Sequence, residues 1–274
     1  MYPELINITL STGQAISVSA YRFFGLLAAG YLIALVVIHL RQYQVDAIRP
    51  SLLIIMMAAA FLLGSRMLYI VLYLPHVIDN PQMAITLRLR NFTLYGGLLL
   101  AAPTWWFLAK KSGINTLKFA DNIIPHLGVS IIIMRVGCFL NGCCYGKPTG
   151  LPWGINVLPM SQAHLAQIYN SSGGIAALIP KAVHPTQIYE MIAALVASLA
   201  AWFFLKRRIR DGLATAIFCL LLSLGRLITF YCREFPAAGQ LSNLIRGPVI
   251  YGLVLAVSAV WIYKIYVTAP QSGK

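Results

Sequence analysis

The chain is short of charge, and above all of negative charge. Of its 274 residues only 10% are Asp, Glu, Lys or Arg, and the acids number 7 against 21 Lys plus Arg. An ordinary soluble domain carries about 25% charged residues, so this chain holds too few polar groups to cover a water-facing surface. That scarcity excludes a cytosolic enzyme, a disordered chain and a small secreted scaffold. Internal repeats and low-complexity segments are also missing from the sequence, which argues against solenoid arrays and against the two-half design of many transporters. The five cysteines include no C-x2-C pair, and His164 is far along the chain from the cluster Cys138, Cys143 and Cys144. A zinc site is therefore not expected from spacing.

What is present is apolar. Hydrophobic residues make up 59% of the chain and the mean hydropathy is +0.76. A membrane-spanning helix needs about 20 mostly apolar residues, and seven such runs lie near 18–40, 51–74, 92–109, 122–141, 186–205, 212–231 and 247–267. The first lacks a basic start and an early small-residue cleavage site, so it reads as a retained span. These runs predict an all-α integral membrane protein of about seven transmembrane helices, forming a single membrane domain over 1–274. The one long connection, 142–185, is rich in Gly, Pro and Ser and is expected to form an outer loop over a central lipid cavity.

Orientation follows from basic residues in alternate connections. With the N-terminus outside, the inner side receives Arg41 and Arg49, then Lys110, Lys111 and Lys118, then Lys206, Arg207, Arg208 and Arg210, with Lys264 and Lys274 at the tail. The prediction is a periplasmic N-terminus and a cytoplasmic C-terminus. Net charge of +14 on so apolar a chain points to anionic membrane lipid rather than to nucleic acid.

Three arginines sit inside apolar runs: Arg66 in AFLLGSRMLYI, Arg135 in SIIIMRVGCFL and Arg226 in LLSLGRLITFY. Charge at that depth costs from about 2.5 to well over 10 kcal/mol. Glu190 is the only acid well inside the neighbourhood of the spans, so carboxylates are not expected to pair with all three. A phosphate suits them, because guanidinium matches it bidentately; snorkelling to headgroups is the alternative. Just after Arg135 come Gly137, Asn141, Gly142 and Gly146, a stretch whose backbone can approach a ligand closely. A second polar string, His184-Pro-Thr-Gln-Ile-Tyr-Glu190, opens the fifth run. His39, His76 and His126 read as interfacial or hydrogen-bonded residues, and Trp105-Trp106 as part of an interface belt.

The run Arg135 to Gly146, the string His184 to Glu190, Gly225-Arg226, and Tyr95-Gly96-Gly97-Leu98 after Arg88 and Arg90 together resemble the prolipoprotein diacylglyceryl transferase family. Order, spacing and span layout agree along nearly the whole chain. The resemblance implies a bacterial inner-membrane transferase that moves the diacylglyceryl group of phosphatidylglycerol onto the lipobox cysteine of a preprolipoprotein. It implies no nucleotide, metal or other cofactor. Carried over by position, Arg135 and Arg226 hold the phosphate as its charge develops, and His184 and Tyr95 are further catalytic candidates. Asn141, Gly146, Gly96, Gly97 and Cys138 shape the lipid pocket, with Gln187, Tyr189 and Glu190 in support.

Four positions depart from the family pattern. Tyr95 stands where a histidine base is usual, and a phenol with a reference pKa near 10 is a poor base at neutral pH. Cys138 replaces an asparagine, Phe24 a tyrosine, and Phe230 an acid one turn beyond Arg226, leaving Glu234 two turns on as a substitute only if the helix continues. The base role then passes to His184 or to a thiolate of Cys143 or Cys144, or the acceptor differs from the family's usual one. A non-catalytic lipid-binding protein is the remaining alternative. Cys138, Cys143 and Cys144 read as free buried thiols, with a disulfide from Cys138 or a covalent cysteine intermediate left open; Cys219 and Cys232 read as packing residues.

Overall fold

The computed structural model describes residues 4–9, 15–42, 48–82, 94–170, 179–235 and 240–267. A hairpin comes first, β1 (Glu4–Thr9) pairing antiparallel with β2 (Ala15–Ser19), with Ile6 opposite Val18 and Ile8 opposite Ile16. Helices follow: α1 (Ala20–Arg41), α2 (Ile48–Leu72), α3 (Leu74–Asp79), α4 (Leu94–Lys111), α5 (Thr116–Asn141), α6 (Gln162–Asn170), α7 (Thr186–Arg207), α8 (Leu213–Cys232) and α9 (Gln240–Val267). Among the described residues six helices, α1, α2, α5, α7, α8 and α9, are long and apolar enough to cross a membrane. The fold is that of an all-α, multi-pass membrane protein. The seventh expected run, 92–109, coincides with α4, an 18-residue helix ending on Lys110 and Lys111.

The chain divides into two compact units, residues 1–35 with 120–274, and residues 36–119. In the second unit α2 lies along α4. A Cβ on Gly97 would meet the Phe61 ring and the Ser65 hydroxyl at 2.5 Å, and one on Gly64 would strike the carbonyl oxygen of Gly96. Gly96 and Gly97 thus let two helices touch backbone to backbone, the packing favoured between membrane helices. Arg66 of α2 lies over the Tyr69 ring, 5.7 Å from its centroid.

In the first unit α7 and α8 form an antiparallel pair, with α9 packed on α8. The faces of α7 show what solvent it meets. Its buried side carries Glu190, Ala194, Ala197, Ser198 and Ala201, while Ile192, Leu195, Leu199, Trp202 and Phe203 are exposed. Small and polar residues inside, large apolar ones outside, is the pattern of a helix against lipid. Ala197, Ala201, Ala214 and Phe218 form the core between α7 and α8, with Ile124, Leu127 and Ile131 of α5 packed on it. At the far end of α7, Lys206 stacks over Trp202 at 3.8 Å and Arg207 over Phe203 at 4.5 Å, cations at a helix C-terminus where the dipole favours them. Beside that end Asp121 of α5 caps α8, accepting from the Gly212 and Thr215 N–H groups at 2.6 and 2.8 Å and from the Thr215 hydroxyl at 2.6 Å.

Candidate active site

The described residues between α5 and α7, 142–170 and 179–185, form a built element rather than an irregular loop. Gly146 N–H donates to the His184 carbonyl at 3.0 Å, His184 N–H to that of Lys147 at 3.0 Å, and Lys147 N–H to that of Cys232 at 2.9 Å. The chain after α5 is thereby threaded between the start of α7 and the end of α8. Gly146 is where the three approach most closely: a Cβ there would lie 2.5 Å from His184 Cβ and 2.6 Å from the Cys232 oxygen. Val157, Ala163 and Val183 form a small core of their own beneath Tyr145.

The string His184 to Glu190 is the clamp that holds this segment. Thr186 Oγ1 donates to the Cys144 carbonyl at 2.6 Å and Gln187 Nε2 to that of Cys143 at 2.7 Å. Tyr189 takes a hydrogen bond from Trp153 Nε1 at 2.8 Å, and its hydroxyl lies 3.3 Å from His184 Nδ1. Thr186, Gln187 and Tyr189 thus face the segment that follows α5, and His184 pairs with Tyr189.

Glu190 instead faces the bundle. Its Oε2 meets Arg135 Nε of α5 at 2.5 Å; its Oε1 meets Arg226 Nη1 of α8, and Arg233 Nη1 at 3.3 Å. The carboxylate is 4% exposed and Arg135 8%. Two of the three embedded arginines therefore share a carboxylate, because α7 places Glu190 between α5 and α8. Among the described residues one carboxylate thus faces three guanidiniums, two more than an acid matches. Tyr251 of α9 accepts from Arg226 Nη2 at 3.0 Å and fixes its plane.

Arg233 was missed by sequence reading, although it lies two helical turns beyond Arg226 and so on the same face. Helix α8 ends at Cys232, so Glu234 does not take the place of an acid for Arg226; it accepts from Asn170 Nδ2 at 2.8 Å instead. Phe230, in the position of that acid, is buried against Gly247 of α9 and stacks on Phe235 at 4.9 Å. Phe24 packs on Gly137, where α1 crosses α5.

Next to the arginines lies a group of thiols. The Cys138, Cys143 and Cys144 sulfurs all fall within 4.8 Å of one another, and Arg135 Nη1 donates to Cys138 Sγ at 3.7 Å. All three thiols are free, as are Cys219 and Cys232. A turn with Gly142 at φ +70° and Cys144 at φ +60° brings them together. Asn141 adds a side-chain hydrogen bond to Cys143. The Cys144 thiol is held well below its ordinary range by hydrogen bonds from the Cys138 and Cys143 thiols and by the charges of Arg233 and Arg135. For Cys143 a hydrogen bond from Cys138 pulls downward, but its donation to Cys144 and its burial outweigh that and raise it.

The structure thus unites Arg135, Cys138, Asn141, Gly146, His184, Gln187, Tyr189, Glu190 and Arg226 around the start of α7 and the end of α8. Gly96 and Gly97 belong to the other unit. Arg88 and Arg90 lie outside the described residues, as does the side chain of Tyr95.

Apolar helices around a buried carboxylate shared by three guanidiniums define a multi-pass membrane protein with a charged interior centre. A model of the prolipoprotein diacylglyceryl transferase family matches residues 8–266, and the chain belongs to that family of transferases. It is similar to the phosphatidylglycerol–prolipoprotein diacylglyceryl transferase of Clostridium tetani, 26% identical over 253 residues, covering 89% of this chain and 92% of that one. The enzyme of the same name from Nitratidesulfovibrio vulgaris strain DP4 is 30% identical over 197 residues, 71% of this chain and 67% of its own. That of Pseudomonas paraeruginosa is 24% identical over 285 residues, covering 99% of both.

Proposed function

We propose that this protein transfers the diacylglyceryl group of phosphatidylglycerol to the lipobox cysteine thiol of a prolipoprotein, releasing glycerol phosphate. The observation that carries this reading is the centre at Glu190. In the reaction a thiolate forms a bond to the glycerol carbon, and the carbon–oxygen bond to phosphate breaks with its electron pair going to the phosphate oxygen. A monoanionic phosphodiester becomes a dianionic phosphomonoester. Three arginines around one carboxylate offer a surplus of two positive charges, which matches the product's charge and strengthens as that charge develops.

Arg135 and Arg226 act as the phosphate clamp in this reading, joined by Arg233, while Glu190 holds the three guanidiniums apart and in place. Asn141, Gly146 and Cys138 border the headgroup region, and Gln187, Tyr189 and His184 fix the covering segment. By analogy with the family, Gly96, Gly97 and Tyr95 are lipid-binding residues of the second unit. The protein works as a single membrane domain in the bacterial inner membrane, among anionic lipids, with a periplasmic N-terminus and a cytoplasmic C-terminus. The basic end of α7 supports that orientation: Lys206 and Arg207 mark the inner face, and Glu190 lies about 24 Å along the helix from Lys206, toward the outer face.

Incubation of purified protein with phosphatidylglycerol and a lipobox peptide, followed by mass spectrometry, tests the reading. A diacylglyceryl-modified cysteine is expected. Unmodified peptide beside consumed phosphatidylglycerol would move the acceptor elsewhere, and an untouched lipid would remove the transferase reading altogether.

A further inference from the structure

We propose that Cys138, Cys143 and Cys144 form a three-thiolate zinc site whose open fourth position takes the thiol of the acceptor. The proposal deepens the transfer reading and rests on it for the identity of the fourth ligand.

Sequence spacing argues against zinc because no two of these cysteines form a C-x2-C knuckle. The fold supplies by other means what a knuckle supplies. Cys138 comes from the last turn of α5, and the turn at Gly142 and Cys144, both in the left-handed region, swings the other two sulfurs back over it. All three lie within 4.8 Å of one another. Tetrahedral zinc with Zn–S bonds of about 2.3 Å needs sulfurs about 3.8 Å apart, so small side-chain rotations close the set. Thr186 and Gln187 hold the turn through the carbonyls of Cys144 and Cys143, and the Cys143 thiol adds a long hydrogen bond of 3.6 Å to the Cys138 carbonyl that a metal would replace.

Charge points the same way. Zinc with three thiolates carries one negative charge, and with a fourth thiolate two. The neighbouring centre is rich in guanidinium groups, and Arg135 already touches Cys138 Sγ at 3.7 Å. Three protein ligands with one position open is the pattern of a catalytic zinc site rather than a closed structural one.

The chemistry this allows is the activation of a thiol. The incoming R–SH binds as the fourth ligand and loses its proton to water, since a coordinating thiol is deprotonated by the ion. Its sulfur then bonds to the glycerol carbon while the carbon–oxygen bond to phosphate breaks, that electron pair leaving with the phosphate held by the arginines. The resulting thioether is a weaker ligand and departs, and the metal keeps its three protein thiolates and its oxidation state throughout.

The test uses the full-length reduced protein in detergent, with Co(II) as a spectroscopic probe. One equivalent of Co(II), giving thiolate charge-transfer and tetrahedral d–d bands displaced by Zn(II), is expected. A lipobox peptide should shift the d–d bands, whereas the same peptide with serine for cysteine should not. Cys144→Ser should weaken Co(II) binding about tenfold or more, while Cys219→Ser, inside α8, should leave the spectrum unchanged and guard against general misfolding. Absence of stoichiometric Co(II), or identical spectra with the two peptides, would overturn the proposal even if the protein transfers lipid. A cysteine-dependent spectrum in a protein that modifies no peptide would uphold the metal and thiol site and sink the transfer reading.

Discussion

Two carboxylates buried to the same degree, each 4% exposed, occupy opposite ends of the first unit. Asp121 meets two backbone N–H groups and a hydroxyl at the start of α8. Its one charge is spread over neutral donors and a helix N-terminus, and nothing about it calls for a further partner. Glu190 meets three guanidiniums from α5, α8 and the residue capping α8. It brings three cations to one place and neutralises only one of them. The first arrangement locks α5 to the α7–α8 turn. The second leaves an excess of guanidinium over carboxylate among the described residues, which in the proposed reading receives the lipid phosphate. Burial is equal, so burial alone does not mark a site; the imbalance of charge does.

The comparison breaks most readily at Glu190. Glu190→Gln removes the carboxylate that the three arginines share, and loss of one partner from a buried ion network costs about 3–5 kcal/mol. A steep fall in thermal stability and in yield of folded protein is expected, measured by unfolding in detergent. Added phosphatidylglycerol should recover part of it, because a phosphate replaces the missing carboxylate. Full wild-type stability without lipid would mean that the arginines do not depend on Glu190.

Arg135→Gln and Arg226→Gln sharpen the comparison from the other side. Each leaves Glu190 with two cations, so stability should fall less than in Glu190→Gln. Turnover of phosphatidylglycerol should drop by about 10²–10³-fold, as when one preorganised donor to a developing negative charge is lost. Wild-type turnover in either variant would remove the phosphate clamp.

Sequence reading reached part of this difference and not the rest. The apolar runs 122–141, 186–205 and 212–231 correspond to α5, α7 and α8, because length and hydropathy are local properties. Arg135 and Arg226 stood out for the same reason, as charges where lipid excludes them. The ring around Glu190 was not legible, since it depends on how α7 sits between α5 and α8. Arg233 lies beyond the apolar run 212–231 and so does not stand out as an embedded charge, though its spacing from Arg226 is a signal. The polar string before Glu190 was recognisable by resemblance, but only its hydrogen bonds to Cys143 and Cys144 explain why Thr186 and Gln187 stand there. The hairpin β1–β2 and helix α6 went unread, the first because one short alternating stretch beside a long apolar run carries little signal, the second because the segment's Gly and Pro residues dominate its composition.

Asp121→Asn gives the smallest effect and the most direct check on the contrast. The amide keeps one acceptor oxygen but turns an N–H2 toward donors that have nothing to offer it, at Gly212 or at Thr215. A buried donor left facing donors costs about 1–3 kcal/mol, so the unfolding midpoint should fall modestly. No arginine, thiol or part of the covering segment changes, and turnover below that midpoint should equal wild type. If instead Asp121→Asn suppressed turnover in protein that remained folded, the two carboxylates would not be independent. The end of α8 that presents Arg226 and Arg233 would then depend on how its beginning is capped, and the charge imbalance at Glu190 would no longer suffice to explain the site.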